Sequence, residues 1–192
     1  LSSPAPEDII VTLDGDDWFS RRDVLYALDQ IYRNTDCRLT YGSYAEYPGG
    51  NKGKFAKQIP SEWIANSVLR QAPWQASHLR TFKYDLWSRI DPADLKGADG
   101  NFYRMAWDLA FMFPMLEMAG PKSVYINEPM YIYNMSNPLN DHKIDNELQV
   151  RTEKEIRSKP PYTTLPLNLG QYPSTCIVSE ANRFVYTFIP KV

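Results

Sequence analysis

The sequence predicts an α/β fold in which helices flank a mixed β-sheet. Segments with the apolar and β-branched character of strands alternate along the chain with segments of helical spacing. The continuous apolar run at residues 9–13 has the length and composition of a buried parallel strand. Apolar residues make up 43% of the 192 residues and aromatic residues 14%, which is enough to build the core of one domain.

The first half of the chain follows this alternation from its start. After the strand at 9–13, Ser20 followed three residues later by Asp23 predicts a capping box for a helix over 24–33. The remaining elements expected in this half are a strand at 38–44, a loop at 48–54, a short helix at 60–70 and a helix at 84–90.

The second half contains the longest apolar helix, expected at 105–118, with a kink at Pro114 and a stop at Gly120. We divide the chain into a main region at 1–162 and a tail at 163–192, which is either an appendage or the start of a further domain. The other elements expected here are strands at 124–127 and 130–133, a polar helix at 145–158, and tail strands at 176–178 and 184–189.

Composition excludes several classes of partner. The 21 Lys and Arg residues against 23 Asp and Glu give a net charge of -2, so nothing calls for nucleic acid. No apolar run approaches the roughly 20 residues that span a bilayer, and we expect no transmembrane segment. For Cys37 and Cys176 we favour two reduced thiols over a single disulfide, which predicts a reducing, cytoplasmic location.

The most informative motif is a cluster of three carboxylates, Asp14, Asp16 and Asp17, that ends the first strand. Like charges this close need a cation or free solvent, and Mg²⁺ and Mn²⁺ prefer oxygen ligands. The carboxyl ends of strands are also where α/β sheets bind ligands. The alternative is an acidic turn that caps the next helix. The residues alone leave both readings open, and the preceding strand favours the metal.

Three blocks of sequence carry a resemblance to a known family. Residues 9–19 are similar to the strand and Asp-x-Asp motif of family 2-type glycosyltransferases with the GT-A fold. Residues 106–120 resemble the family's helix with the catalytic carboxylate, and residues 137–143 resemble the closing loop of a subgroup found in bacteria and large DNA viruses. The blocks occur in the family's order and span roughly residues 7–160.

This resemblance implies a metal-dependent, inverting transfer of a sugar from a nucleotide-sugar, such as a UDP-sugar, to a hydroxyl of a glycan or glycoprotein. Asp16 would be the main ligand of Mn²⁺ or Mg²⁺. Asp14 would assist at the metal or the nucleotide ribose, and Asp17 would contribute to either. Asp108 would be the general base, although many relatives have an acidic residue where Trp107 stands here.

The resemblance also implies roles for residues outside the carboxylate cluster. His142 would be a third metal ligand, with a solvated loop histidine as the alternative, and Lys143 would meet a phosphate. Arg80 would contact the diphosphate and His78 the sugar, with packing as the alternative for both. Three tryptophans would either stack on sugar rings or pack in the core, namely Trp74, Trp87 and Trp107.

The first residues depart from the family's pattern, and two rival functions stay open. A complete GT-A domain opens with a strand-helix-strand half that holds the nucleotide, and only eight residues precede Ile9. We therefore expect a GT-A-like fold without its N-terminal nucleotide-binding half, and an exposed edge beside the strand at 9–13. The rival functions are a non-catalytic carbohydrate-binding or interaction module with a degenerate site, and another metal-dependent nucleotide-processing transferase.

Overall fold

The structure of the chain is a computed structural model that describes residues 4–137 and 145–166, together with the backbone of a strand near the C-terminus. The strands are β1 (Ile9–Asp14), β2 (Trp18–Phe19), β3 (Leu39–Tyr47), β4 (Ser77–Lys83), β5 (Ser123–Asn134) and β6 (Phe184–Ile189). The α-helices are α1 (Val24–Asn34), α2 (Ser61–Ala65), α3 (Tyr84–Ser88), α4 (Trp107–Ala119) and α5 (Asn146–Ser158).

These strands form one mixed sheet in the order β2-β5-β3-β4-β1-β6. β3 is parallel to β5, and β4 is antiparallel to both β3 and β1. The strands β1, β3 and β5 therefore point the same way. Their last residues, Asp14, Tyr47 and Asn134, lie at the same end of the sheet, where the carboxyl ends of these strands meet. The predicted α/β class with a mixed sheet is confirmed.

Helices cover the two faces of this sheet. Successive side chains of β1 contribute to different cores, because strand residues alternate between faces. Ile10 packs into the core that contains α4, whereas Ile9 and Val11 pack into the core that contains α1. α4 contains the most deeply buried stretch: its residues from Leu109 to Ala119 are buried, so it has no solvated face.

The predicted end of α4 and the predicted polar helix at 145–158 are confirmed. Gly120 ends α4 with a positive φ of 56°, and its N–H donates to the carbonyl of Leu116. Pro114 lies inside the helix, and the kink expected there stays a prediction. Asp145 caps α5 by accepting a 2.8 Å hydrogen bond from the N–H of Leu148.

Other local predictions are wrong. Ser20 does not cap α1, because its N–H and hydroxyl donate to the carbonyls of Met130 and Pro129 as β2 pairs with β5. The two short strands expected at 124–127 and 130–133 are one strand, β5, whose register with β3 shifts near Pro129. Strand β4 was not predicted, because His78 and Arg80 gave its sequence the appearance of a polar segment.

The first strand is an interior strand of the sheet. β1 pairs with β4 on one side and with the backbone of β6 on the other, which covers the edge that was expected to be exposed. Within the described residues, no helix is long and apolar enough to cross a membrane. Cys37 is a free thiol whose pKa is raised by burial, and Cys176 lies outside the described residues.

Candidate functional site

The turn that follows β1 is fixed by Asp17. Its N–H donates to the carbonyl of Asp14 at 3.1 Å, and its side chain is only 9% exposed. One carboxylate oxygen accepts a 2.6 Å hydrogen bond from the hydroxyl of Tyr131, and the other accepts a 2.8 Å bond from the N–H of Asn134. Asp17 therefore ties the carboxylate turn to β5.

Tyr131 supports this turn from beneath. Its hydroxyl donates to Asp17 and accepts a 3.2 Å hydrogen bond from the N–H of Asp14. Burial raises the pKa of Tyr131 well above its usual range, and the nearby charges of Asp14 and Asp17 raise it further. The phenol stays protonated and continues to donate to the carboxylate.

Asp14 and Asp16 are the half-buried members of the cluster. The side-chain amide of Asn137 donates to one oxygen of Asp16, so the first and third of the family-like blocks meet here. Carboxylate oxygens suit a hard divalent cation, and Asp14 and Asp16 fit such an ion by donor type. Among the described residues, no group of three or more His, Cys, Asp and Glu side chains is arranged to hold a metal. The predicted third ligand, His142, and Lys143 lie outside those residues.

His78 connects the turn to the sheet. Its ring stacks on Tyr131, with centroids 4.4 Å apart and planes at 19°, and it also stacks on Tyr133 at 5.6 Å. Tyr44 meets the same ring edge-on at 5.8 Å. With only 9% of its surface exposed, His78 is enclosed by aromatic rings rather than open to a ligand.

Arg80 links His78 to the predicted base. Its Nη1 lies 3.4 Å from His78 Nδ1, and because a guanidinium only donates, Nδ1 is the acceptor. Its Nη2 donates to Asp108 Oδ2 at 2.6 Å. The Nε of Arg80 is buried and has no hydrogen-bond partner among the described residues. This guanidinium holds Asp108 in place from below the surface.

Asp108 lies in the first turn of α4, as predicted. The free N–H groups and the dipole of a helix N-terminus favour a carboxylate there. Its side chain is 21% exposed, and no hydrogen bond between described residues engages its Oδ1. The helix begins after Ala106, which adopts a left-handed φ of 51° that is costly for a non-glycine residue. The first turn of α4 meets β4 through the Arg80–Asp108 pair.

A continuous set of contacts therefore joins the carboxylate turn to the predicted base. Asp17 bonds to Tyr131, Tyr131 stacks on His78, His78 contacts Arg80, and Arg80 pairs with Asp108. Sequence reasoning named four of these five residues. It missed Tyr131, because a tyrosine within an apolar strand gives no signal that its hydroxyl will meet a carboxylate over a hundred residues away.

The three tryptophans pack against the core that contains α4. Trp74 meets Phe113 edge-on at 5.1 Å, and Trp107 contacts Phe111 at 5.5 Å. Trp87 stacks on Phe82 at 6.1 Å, although 37% of its surface remains exposed. For Trp74 and Trp107 the packing alternative describes the contacts in this structure.

A scan against protein-family models finds no match to this chain, and no curated protein matches it. The contacts among the chain's own residues therefore provide the basis for a functional assignment.

Proposed function

We propose that the chain is the metal-binding and acceptor side of an inverting nucleotide-sugar glycosyltransferase with a GT-A-like sheet. The observation that carries this proposal is the set of contacts from Asp17 through Tyr131, His78 and Arg80 to Asp108. These contacts connect the carboxylate turn to Asp108, about 90 positions later in the sequence, and this connection supports assigning both to one site. An acidic turn that only capped a helix would need no such connection.

The donor side of this proposed site is Asp14 and Asp16. Both are partly exposed at the carboxyl end of β1, whereas both oxygens of Asp17 are occupied within the fold. We therefore assign metal and diphosphate binding to Asp14 and Asp16, and the shaping of the turn to Asp17. When bound, Mn²⁺ or Mg²⁺ would stabilise the departing diphosphate as a Lewis acid. Asn137 contacts Asp16 shortly before His142 and Lys143, which supports keeping His142 as a proposed ligand and Lys143 as a phosphate contact.

The acceptor side is Asp108. Arg80 occupies Oδ2, which leaves Oδ1 to accept the proton of an acceptor hydroxyl. The hydroxyl oxygen then attacks the anomeric carbon while the bond between that carbon and the diphosphate oxygen breaks. The proton remains on Asp108. Attack opposite the leaving group inverts the anomeric centre. A base must lie within about 2.6–3.2 Å of the proton's oxygen, directly or through one water.

Arg80 and His78 act in this proposal as positioning residues. Both are buried, at 4% and 9% exposure, so we assign them to orienting Asp108 and Tyr131 rather than to direct contact with diphosphate or sugar. Fixed support beneath a reacting group is what holds it within the narrow geometry that catalysis requires.

The proposal is tested by calorimetric titration of the full protein with nucleotide-sugars, with and without Mn²⁺. Wild type should bind a nucleotide-sugar only when Mn²⁺ is present, and Asp16→Ala should lose that binding while keeping its thermal unfolding transition. Asp23→Ala removes an exposed carboxylate that pairs with Arg21 and is the matched control. Unchanged affinity in Asp16→Ala, or equal affinity without the metal, would sink the assignment.

A further inference from the structure

The guanidinium of Arg80 makes fewer bonds to its carboxylate than its shape allows. Nε and Nη2 lie on one edge of a guanidinium and can bond to both oxygens of a carboxylate at once. At Asp108 only Nη2 is used, at 2.6 Å from Oδ2, and Nε is buried without a hydrogen-bond partner among the described residues. The donor that would complete a two-bond pair is therefore already present.

The other end of α4 shows the completed form of the same pair. Arg70 donates from Nε to Glu117 Oε1 at 2.7 Å and from Nη2 to Glu117 Oε2 at 2.9 Å. In both pairs the arginine is buried, with 6% of Arg70 and 4% of Arg80 exposed. The two pairs therefore differ in how many oxygens of the carboxylate face the guanidinium.

The unmet acceptor belongs to the same ion pair as the unmet donor. Oδ1 of Asp108 accepts no hydrogen bond within the part of the chain that the structure describes, and the side chain is 21% exposed. Buried polar groups in folded proteins are nearly always hydrogen-bonded, because a buried donor without a partner costs its full desolvation energy. A rotation of the Asp108 carboxylate that brings Oδ1 to Arg80 Nε would satisfy both atoms without a third residue.

Of the two partners, Asp108 is the one with room to turn. Arg80 is almost fully buried, and its Nη1 lies 3.4 Å from Nδ1 of His78, whose ring is itself stacked on Tyr131. Asp108 instead reaches solvent from the first turn of α4, directly after the left-handed backbone of Ala106. Backbone strain of this kind clusters at active sites and at segments that switch conformation.

We infer that Arg80 and Asp108 form a latch with two positions of the Asp108 carboxylate. In the open position, which the structure shows, Nη2 alone holds Oδ2 and Oδ1 is exposed. In the closed position Oδ1 bonds to Nε, and the pair resembles Arg70 with Glu117. A role for the latch in withholding the general base until an acceptor hydroxyl competes for Oδ1 rests on the proposed function, whereas the two positions themselves do not.

A crystal structure of the full protein without ligand tests the two positions directly, at a resolution that separates alternative carboxylate orientations. We expect Oδ1 of Asp108 to lie within about 3.2 Å of Arg80 Nε in all or part of the molecules. A carboxylate found only in the open position would overturn the latch, whether or not a water molecule meets Nε.

Chemical labelling measures the same latch in solution. A water-soluble carbodiimide with glycine ethyl ester converts accessible carboxyl groups to amides, and mass spectrometry gives the rate at each residue. Arg80→Lys keeps the cation but lacks the two-donor edge, so Asp108 should be labelled about tenfold faster than in wild type. Arg89→Lys is the matched control, because Arg89 also donates from Nε and Nη2 to one carboxylate, Asp85, at the surface. Labelling of Asp85 should change by no more than about twofold.

Two labelling results would also overturn the inference. Equal labelling of Asp108 in wild type and in a folded Arg80→Lys would mean that Nε does not restrain the carboxylate. An equal rise at Asp85 in Arg89→Lys would mean that any lost arginine has this effect. If thermal unfolding shows that Arg80→Lys does not fold, the crystal structure decides alone.

The latch and the proposed function can fail separately. No donor, metal or acceptor is present in these measurements, so a missing closed position would leave the assignment of Asp108 as the base untouched. Near-normal sugar transfer by Asp108→Asn would refute that base and would leave the two carboxylate positions standing.

Discussion

Two arginine–carboxylate pairs are attached to helix α4, and they differ in how completely they are satisfied. Near its C-terminus, Glu117 receives two hydrogen bonds from Arg70, at 2.7 and 2.9 Å, and both side chains are 6% exposed. Near its N-terminus, Asp108 receives one bond from Arg80 and is 21% exposed. The first pair is closed to solvent, and the second leaves a carboxylate oxygen open.

The surroundings of the closed pair explain its structural role. Arg70 also donates to the carbonyl of Ile156 at 2.9 Å, and the N–H of Tyr162 donates to Glu117 at 2.9 Å. The guanidinium groups of Arg70 and Arg157 lie over the ring of Phe113. This pair joins α5 and the segment at 160–166 to α4. The comparison teaches that the same chemical pair can close a contact between elements when all its bonds are made, or leave one carboxylate oxygen exposed when they are not.

The largest expected effect comes from breaking the closed pair. Glu117→Ala leaves the buried guanidinium of Arg70 without a counter-charge, which should cost about 3–5 kcal/mol of unfolding free energy. Urea denaturation measures it. Asp85→Ala, which removes a solvent-exposed pair with Arg89, is the control and should change stability by no more than about 0.5 kcal/mol. A similar, small change in both variants would contradict the closed-pair account.

The next effect is expected at the end of α4. Gly120→Ala places a Cβ 2.5 Å from Thr164 Cγ2 at a positive φ, so steric overlap and backbone strain should together cost about 2–4 kcal/mol. Gly50→Ala, with a φ of 70° and nothing within 4 Å, isolates the strain alone. Thermal unfolding of both variants compares them. Adding Thr164→Ala to Gly120→Ala should recover part of the loss, and no recovery would argue against the contact.

On the open side, Tyr131→Phe should cost about 1.5–3 kcal/mol, because the buried carboxylate of Asp17 loses a charge-assisted hydrogen bond. Tyr26→Phe changes an exposed tyrosine and should have no measurable effect on unfolding. Denaturant titration of the two variants makes the comparison. Equal stability of both would mean that the phenol does not support the carboxylate turn.

A smaller effect on the free energy of unfolding is expected from raising the pH, through Tyr162, whose N–H donates to Glu117 of the closed pair. Burial raises the pKa of Tyr162 to about 12, and its 2.6 Å hydrogen bond to Asp94 adds to the shift. A raised pKa means that the folded state keeps its proton longer, so this contribution is complete below pH 10 and is lost as pH rises through about 12. Between pH 9 and 12, the free energy of unfolding should fall less steeply with pH in Tyr162→Phe than in wild type. Parallel curves would contradict it.

How much of this could be read from the sequence depends on the range of each contact. The strand β1, the helix α4 with its stop at Gly120, and the polar helix α5 follow from neighbouring residues, so local patterns predicted them. Strand β4 and the role of Ser20 depend on partners in other strands, which local patterns do not contain.

The same distinction holds at the site. The carboxylates Asp14 and Asp16 and the proposed base Asp108 could be named from the sequence because they stand in motifs, and their roles stay predictions. The Arg70–Glu117 pair and the support that Tyr131 gives to Asp17 were missed, because each joins residues 47 to 114 positions apart with no motif around them. For Arg80 and His78 the sequence left packing as an alternative, and it could not decide for His78 because the rings around it come from β3 and β5.

The measurement that tests the account most directly compares Asp108→Asn with Glu117→Gln in one experiment. Sugar transfer per folded molecule and unfolding free energy are determined for both variants and for wild type. Asp108→Asn should lose less stability than Glu117→Gln, because its carboxylate is partly exposed and makes one bond to Arg80. It should lose transfer by about 10²–10⁴-fold, because the proposed base is gone. Glu117→Gln should lose stability and keep its transfer rate per folded molecule. Near-normal transfer by Asp108→Asn, together with a stability loss equal to that of Glu117→Gln, would contradict the account.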